Sequence, residues 1–207
     1  MKKKGGMLFN IRDICPIDEK LSVETNCVAT ALYTLGVIEL EEFKKFTEIT
    51  KRDTISTSPL AVKNKIKKKL TELYSSNKIK LSDSLDNNID IDSVNFEYIK
   101  VPSIDSLIYF IKHIMQNNDA IYLSLKMGKY DYHAFVIYKV NNKTIDIYDN
   151  NILISKNMNI TYLDESIFLN LDATVNNYKI LLGLLENRDN VNITDISRSD
   201  LLLIQPI

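Results

Sequence analysis

The period of the hydrophobic pattern changes along the chain, and this change constrains the fold more than any other feature of the sequence. Between residues 27 and 35, apolar side chains recur at positions 28, 31, 32 and 35, which is the spacing of a buried helix. Farther along, segments such as 95–101 and 133–140 have the pattern of β-strands. Helices followed mainly by strands indicate an α+β domain.

Local signals at the segment ends place the helices. Asn26 is a good N-cap and Gly36 is a good residue to end the first helix. Ser58 followed by Pro59 predicts the start of another helix, because proline fits the first helical position. The predicted helices are 27–35, 40–47, 59–74 and an amphipathic helix over 104–115 that Ser103 caps.

The strands are predicted from their patterns and from the loops between them. A polar stretch over 82–93 is predicted as a surface loop between the helical part and the strand-rich part. Asn141-Asn142-Lys143 is predicted to join two strands as a hairpin. The predicted strands are 95–101, 120–125, 133–140, 144–148 and 201–205, with mixed elements over 170–186 and a polar loop over 187–194.

The composition suits one ordinary globular domain over residues 1–207, of which 1–20 are predicted to be irregular. Apolar residues make up 45% and charged residues 26%, which excludes disordered, collagen-like and disulfide-dense chains. Lys and Arg (26) nearly balance Asp and Glu (27), so no overall field attracts nucleic acid or an anionic membrane. No apolar run approaches the ~20 residues of a bilayer span. Arg12 and Asp13 interrupt the N-terminal apolar stretch, so we expect synthesis in the cytoplasm without a Sec signal.

Cysteine and histidine are scarce, with two of each. Two cysteines cannot build a disulfide framework, and a Cys2His2 zinc site would consume every cysteine and histidine at spacings unlike any finger. We therefore expect no metal and no cofactor. Thiol or imidazole chemistry must use one or two residues among Cys15, Cys27, His113 and His133.

Cys27 is the candidate nucleophile. It follows the predicted N-cap directly, so the helix dipole and the free N–H groups would favour its thiolate and could receive an oxyanion. The alternative is an inert core thiol, the usual state of a free cysteine. Cys15 precedes Pro16 in an irregular stretch without a helix start, so we interpret it as a structural or merely tolerated thiol.

His133 and Asp149 are the candidate partners of Cys27. His133 opens a predicted strand beside a loop, whereas His113 lies off the apolar stripe of its helix and is predicted to be solvated. A three-residue loop over 141–143 would pair residue 135 with Asp149 and place Asp149 diagonal to His133 on the same face. A two-residue loop would send Asp149 to the other face. With the three-residue loop, Asp146 points to the face opposite His133 and is predicted to be a surface charge. Taken singly, Asp149 is more simply a turn residue at a strand end.

The segments around these three residues resemble a known family. Asn26-Cys27-Val28-Ala29-Thr30-Ala31-Leu32, continued by Leu35-Gly36, resembles the Asn-Cys…Ala…Leu-Gly pattern of papain-fold bacterial toxins and effectors that deamidate glutamine. His133-Ala134-Phe135-Val136 followed by Ile147-Tyr148-Asp149-Asn150 is similar to the His and Asp segments of those families and of bacteriocin-processing peptidases. The resemblance implies a papain-like fold, with the nucleophile at a helix N-terminus packed on an antiparallel sheet, and a Cys27–His133–Asp149 triad.

The same resemblance implies a cysteine hydrolase that acts on a carboxamide through an acyl-thioenzyme. The favoured reaction is glutamine deamidation in a protein of a host or competitor cell, after delivery by a specialised secretion system, with a chaperone or an immunity protein as a further partner. The alternatives are a cysteine protease of this fold, a papain-like module that only binds a partner, and an unrelated α+β protein. No nucleic-acid partner is expected, and the basic helix face of Lys63, Lys65, Lys67, Lys68 and Lys69 is interpreted as solvated.

One position departs from the papain-like pattern. Papain-like proteases usually carry a glutamine shortly before the cysteine, and its side chain helps to form the oxyanion hole. Leu21 stands at that position, and no glutamine precedes Cys27. Backbone N–H groups at Cys27 are expected to serve instead, since losing one oxyanion donor costs on the order of 10²–10³ in rate. The departure weighs against peptide-bond cleavage more than against the triad.

Overall fold

The structure is a computed structural model that describes residues 27–43, 58–77, 79–82, 91–127, 131–149, 152–163, 178–184, 190–201 and 203–206. Helices and antiparallel strands together make it an α+β fold, as the sequence predicts. The helices are α1 (Cys27–Thr34), α2 (Pro59–Ser75) and α3 (Ile104–Tyr109). The strands are β1 (Ile79–Ser82), β2 (Asn95–Val101), β3 (Ala120–Met127), β4 (Asp131–Lys139), β5 (Thr144–Asp149), β6 (Ile152–Asn159), β7 (Tyr178–Leu184) and β8 (Leu203–Pro206).

A six-stranded antiparallel sheet forms the centre of the described structure. Its strand order is β2-β7-β3-β4-β5-β6, so β7 lies between β2 and β3 although it comes much later in the chain. Strands β3 to β6 are neighbours in sequence order. β1 and β8 form a separate antiparallel pair.

Helices cover both faces of this sheet. On the first face, α1, α2 and the helical residues 40–43 bury a core that includes Leu32 and Val136. On the second face, α3 and the π-helical turn Phe110–Ile114 bury a core that includes Ile137. Neighbouring residues of β4 thus belong to different cores, because side chains of a strand alternate between faces.

The end of α1 explains the place of its glycine. The N–H of Gly36 donates to the carbonyl of Tyr33 and the N–H of Val37 to that of Leu32, both at 2.9 Å, which is the hydrogen-bond pair of a Schellman end. Gly36 has a φ of 75°, a conformation that costs glycine little. The sequence prediction of this helix end is confirmed.

The predicted caps of the next helices are also confirmed. Ser58 Oγ accepts the N–H of Ala61 at 3.3 Å, and Pro59 is the first residue of α2. Ser103 Oγ accepts the N–H of Ser106 at 3.2 Å at the start of α3. The helix predicted over 104–115 is present from Ile104 to Ile114, but its second half, Phe110–Ile114, is a π-helical turn in which the hydrogen bonding widens.

Several predicted strands have shifted ends. β2 spans 95–101 as predicted, but β4 begins at Asp131, so His133 is its third residue and does not open the strand. The last strand spans 203–206, where we predicted 201–205. The loop prediction over 187–194 misses a 3₁₀ turn that buries Ile193. The sequence analysis missed β6 and also β1, which includes Ser82 from the predicted loop. Some predictions fall outside the described residues: those on 1–20 with Cys15, on Asn26, on 44–47 and on 83–90.

None of the described helices combines the length and the hydropathy of a membrane span.

Candidate active site

Cys27 is the first residue of α1, where the N–H groups of the opening turn lie at the positive end of the helix dipole. Its side chain is half-buried. The N–H of Val28 and the N–H of Ala134 donate to the sulfur, and the sulfur is hydrogen-bonded to the His133 ring. The Thr30 hydroxyl donates to the Cys27 carbonyl at 2.9 Å and holds this first turn in place.

The β4–β5 hairpin brings His133 and Asp149 together. Phe135 pairs with Asp149, and the N–H of Val140 donates to the Thr144 carbonyl at 3.0 Å, so the predicted three-residue loop and its register are confirmed. His133 Nε2 lies 2.6 Å from Asp149 Oδ1, as expected for a diagonal pair on one face. Because Nε2 is engaged by Asp149, Nδ1 is the ring nitrogen left for Cys27.

The site takes residues from both faces of the sheet. Ala134 belongs to the core of the first face, against which Cys27 packs, whereas the ring of His133 stacks on Phe135 of the second face with centroids 6.3 Å apart. The described pairing of β4 with β5 stops at Phe135, and one residue farther the N–H of Ala134 donates to Cys27. The thiol therefore meets the imidazole near the end of the hairpin that is opposite the 141–143 loop.

The electrostatics of the site favour a charged Cys27–His133 pair. Burial raises the pKa of the Cys27 thiol, but the hydrogen bond to His133, the Ala134 and Val28 N–H groups and the His133 charge outweigh it and lower this pKa below its ordinary 9.0. Burial lowers the pKa of His133, yet the hydrogen bonds to Asp149 and Cys27 and their charges raise it from 6.5 to about 9. Both shifts act in the direction that favours a thiolate beside an imidazolium.

A cavity of about 100 Å³ adjoins Cys27 on the first face of the sheet. Val28 and Ala134, whose N–H groups contact the Cys27 sulfur, line it together with Tyr98, Tyr122 and Lys179, and with Pro59 and Ser124. Burial and the charges of Tyr98 and Cys27 raise the pKa of Tyr122 well above its ordinary value, so its hydroxyl keeps its proton beside the thiolate.

Sequence reasoning missed the cavity. Tyr122, Ser124 and Ala134 share a face only through the register of β3 and β4, in which Ser124 pairs with Ala134. Lys179 reaches the same place because β7 pairs with β3, and nothing in the local sequence around Lys179 predicts this pairing. The alternation of side chains along β3 is a weak sequence signal for the cavity, since it places Tyr122 and Ser124 on one face.

The other candidate residues lie away from this site. His113 is exposed, as predicted, and stacks on Tyr109 with centroids 4.8 Å apart. Cys15 lies outside the described residues. Asp146 was predicted to be a surface charge, and this is wrong: its side chain is buried because Oδ1 accepts the N–H of Asn157 from β6 at 2.6 Å.

The basic face of α2 is largely neutralised by neighbouring groups. Lys63 Nζ lies 2.7 Å from Glu97 Oε1, Lys69 Nζ lies 3.1 Å from Glu39 Oε1, and Lys65 pairs with Glu42. The face therefore offers little free charge to a partner. Within the described part of the chain, no group of three or more potential metal ligands lies together.

Comparisons with known proteins leave the family of this chain open. No family model matches it, and no curated protein or solved structure is significantly similar. The α+β architecture and the site geometry therefore rest on the structure alone.

Proposed function

We propose that this protein is a cysteine hydrolase of papain-like fold in which Cys27 is the nucleophile, His133 the acid and base, and Asp149 the residue that orients the ring. The observation that carries the proposal is the continuous hydrogen-bonded series Cys27–His133–Asp149 at a helix N-terminus. A buried structural thiol would need neither a lowered pKa nor an imidazole held by a carboxylate.

The proposed reaction follows from the protonation states of the pair. The Cys27 thiolate attacks the carbonyl carbon of a carboxamide, and the His133 imidazolium gives its proton to the departing nitrogen, which leaves as ammonia or as an amine. A thioester with Cys27 remains. His133, now neutral, takes a proton from water as the water attacks the thioester, and the carboxylic acid product leaves while the thiolate is restored.

Backbone N–H groups supply the oxyanion donors in this proposal. Those of Val28 and Ala134 already point at the sulfur, so an oxygen bound to the attacked carbon would lie within their reach. They would take the role of the missing glutamine before Cys27. Deamidation of a glutamine side chain is the preferred reaction, because the Asn26-Cys27 segment resembles that of papain-fold deamidases and because the missing glutamine before Cys27 weighs against peptide-bond cleavage. We propose a protein of a host or competitor cell as the target.

Alkylation of Cys27 and mass spectrometry test this proposal in sequence. In a Cys15→Ser background Cys27 is the single thiol, and we expect iodoacetamide at pH 6 to react with it faster than with N-acetylcysteine. His133→Gln, which removes the imidazolium, should bring the rate down towards that of the free thiol. A Cys27 that reacts no faster than N-acetylcysteine would leave a binding module as the better interpretation.

Turnover distinguishes the two hydrolases. We expect glutamine-containing peptides to gain about one dalton on incubation with the wild-type protein and to remain unchanged with Cys27→Ala. Fragments instead of a mass gain would assign the protein as a peptidase.

A further inference from the structure

The polar groups that line the cavity beside Cys27 are all able to donate hydrogen bonds. They are the hydroxyls of Tyr98, Tyr122 and Ser124 and the ammonium of Lys179, and no carboxylate is among the described lining residues. The Tyr98 hydroxyl already donates to the Pro59 carbonyl at 3.4 Å. Within the described residues, the side-chain polar groups of Tyr122, Ser124 and Lys179 have no partner. An occupant that supplies acceptors would satisfy all of these groups, and the Lys179 ammonium, which only donates, requires one.

The positive charge of Lys179 in the cavity lining favours an anionic occupant. Lys179 on β7 lies directly opposite Lys100 on β2. Like charges directly opposite each other destabilise an antiparallel pair. A bound carboxylate would relieve this repulsion and would satisfy the free donors at the same time.

The register fixes how far this charge lies from the nucleophile. Ala134, Ser124 and Lys179 form one row across β4, β3 and β7. Strands lie ~4.8 Å apart, so the Lys179 backbone is about 10 Å from the Ala134 N–H that contacts the Cys27 sulfur. An extended peptide rises ~3.3 Å per residue and would span this distance in about three residues, and the lengths of the lysine and acidic side chains reduce the span that is needed to about two. The apolar walls, Val28 and Pro59 with the tyrosine rings, suit the methylenes of a side chain.

We propose that this cavity binds an acidic side chain of the substrate, within two residues of the carboxamide that Cys27 attacks, and that Lys179 and Tyr122 recognise its carboxylate. The inference rests on the proposed function of Cys27. It deepens that function by naming a substrate class, peptides in which a glutamate or aspartate lies beside the reacting residue. Lys179 becomes the residue that determines specificity.

A pair of small alkylating reagents tests the cavity and needs no target protein. N-bromoacetyl-glutamate α-amide and N-bromoacetyl-glutamine α-amide have nearly the same shape and differ in one charge. In each case the Cys27 thiolate forms a bond to the methylene carbon and bromide leaves. In the Cys15→Ser protein we expect the glutamate reagent to react at least about tenfold faster than the glutamine reagent, relative to the same ratio for N-acetylcysteine, and high salt should reduce this preference.

Variants of Lys179 determine whether the preference comes from the cavity. Lys179→Met keeps the length of the side chain without its charge and should abolish the preference, and Lys179→Glu should invert it. Lys143→Met is the matched control, because Lys143 is exposed at the loop end of the hairpin, away from His133, and this variant should keep the full preference.

Two outcomes contradict the inference and differ in what they leave standing. The carboxylate subsite would be refuted if both reagents reacted equally and faster than with a free thiol, or if the preference survived in Lys179→Met. Either result would leave the cysteine hydrolase proposal in place. Reaction no faster than N-acetylcysteine with either reagent would refute the activated Cys27 itself, and with it the subsite.

Discussion

The two faces of the central sheet both bury apolar cores, but they differ around Cys27. The core of the second face is dominated by aliphatic residues, among them Ile137 and Ile145, whose side chains are fully buried. The first face carries Tyr98, Tyr122 and Ser124 beneath α1, with the cavity between them. Close-packed aliphatic side chains stabilise a fold, whereas unpaired donors beside a cavity do not. The cavity beside Cys27 therefore places the candidate binding site on the first face, whereas Ile137 and Ile145 belong to a packed part of the second.

The candidate site itself draws on both faces. Cys27 comes from the helix on the first face, and His133 stacks against the core of the second. The ring of His133 therefore packs on the second face, while the thiol and the cavity lie on the first. Substitutions on the two faces should separate activity from stability, and this expectation can be tested.

The largest expected effect is the loss of turnover in Cys27→Ala. Removal of the nucleophile should lower the rate at least about 10⁴-fold, as in other enzymes that lose a triad nucleophile. The free energy of unfolding should stay within about 0.5 kcal/mol of wild type, because alanine is a good residue for the first turn of a helix. Urea titration followed by circular dichroism gives the stability, and mass gain on glutamine peptides gives the rate. Retained turnover in this variant would remove the hydrolase proposal.

Ile137→Ala should show the opposite pattern. Ile137 is fully buried in the middle of β4, so its truncation leaves a cavity and should lower the free energy of unfolding by about 2–5 kcal/mol. The iodoacetamide reactivity of Cys27 in the remaining folded protein should change less than about threefold, because His133 and Asp149 stay paired. A large loss of Cys27 reactivity without a loss of stability would contradict the division of roles between the faces.

Asp149→Asn should lower turnover by about 1–3 kcal/mol of transition-state stabilisation, the size of a charge-assisted hydrogen bond. An amide oxygen can still accept the ring N–H from His133 but stabilises the imidazolium less. Asp195→Asn, which removes an exposed carboxylate, is the control and should change turnover by under ~0.5 kcal/mol. Kinetics on the same glutamine peptides measures both.

Asp146→Asn provides a second control with a different readout. Because Asp146 is buried and accepts a backbone N–H from Asn157, its substitution should reduce the free energy of unfolding and leave turnover per folded molecule nearly unchanged. If Asp146→Asn reduced turnover more than Asp149→Asn, the third residue of the triad would have to be reassigned.

These residues show which parts of the site the sequence could predict. The pairing of His133 with Asp149 follows from one loop length and from strand alternation, both of which are local. The burial of Asp146 could not be predicted in this way, because its partner Asn157 adopts a φ of 49° in a strand that the sequence did not reveal. The same holds for the cavity, since it depends on β7 inserting between β2 and β3. The pairing of strands that are far apart in the chain cannot be read from the hydrophobic periodicity of the sequence.

The pH dependence of hydrolysis should reveal the charged pair. His133 must carry a proton to expel the nitrogen, and its pKa is raised to about 9, so turnover should fall about fivefold between pH 9 and pH 10 as this proton is lost. At lower pH, turnover should fall as the Cys27 thiolate takes up a proton. Because the pKa of Cys27 is lowered, this fall should occur at a pH below the ordinary pKa of a thiol. Both limits belong to the coupled pair, so Asp149→Asn should move the alkaline limit to lower pH. A rate that does not change from pH 5 to pH 10 would exclude both groups from the limiting step.

The smallest expected effect concerns the basic face of α2, which belongs to the first face of the sheet but is neutralised. Lys63 and Glu97 lie 2.7 Å apart with side chains 22% and 38% exposed, so water screens their attraction. A double-mutant cycle of Lys63→Met and Glu97→Gln should give a coupling of about 0.2–1 kcal/mol in the free energy of unfolding, and this coupling should shrink as salt is added.

Lys63→Met should also leave the preference of Cys27 for the glutamate reagent intact, because the charge of Lys63 is already balanced and Lys63 does not line the cavity. A loss of that preference in Lys63→Met as large as in Lys179→Met would mean that the general positive potential of the first face, and not one lysine in the cavity, attracts the carboxylate.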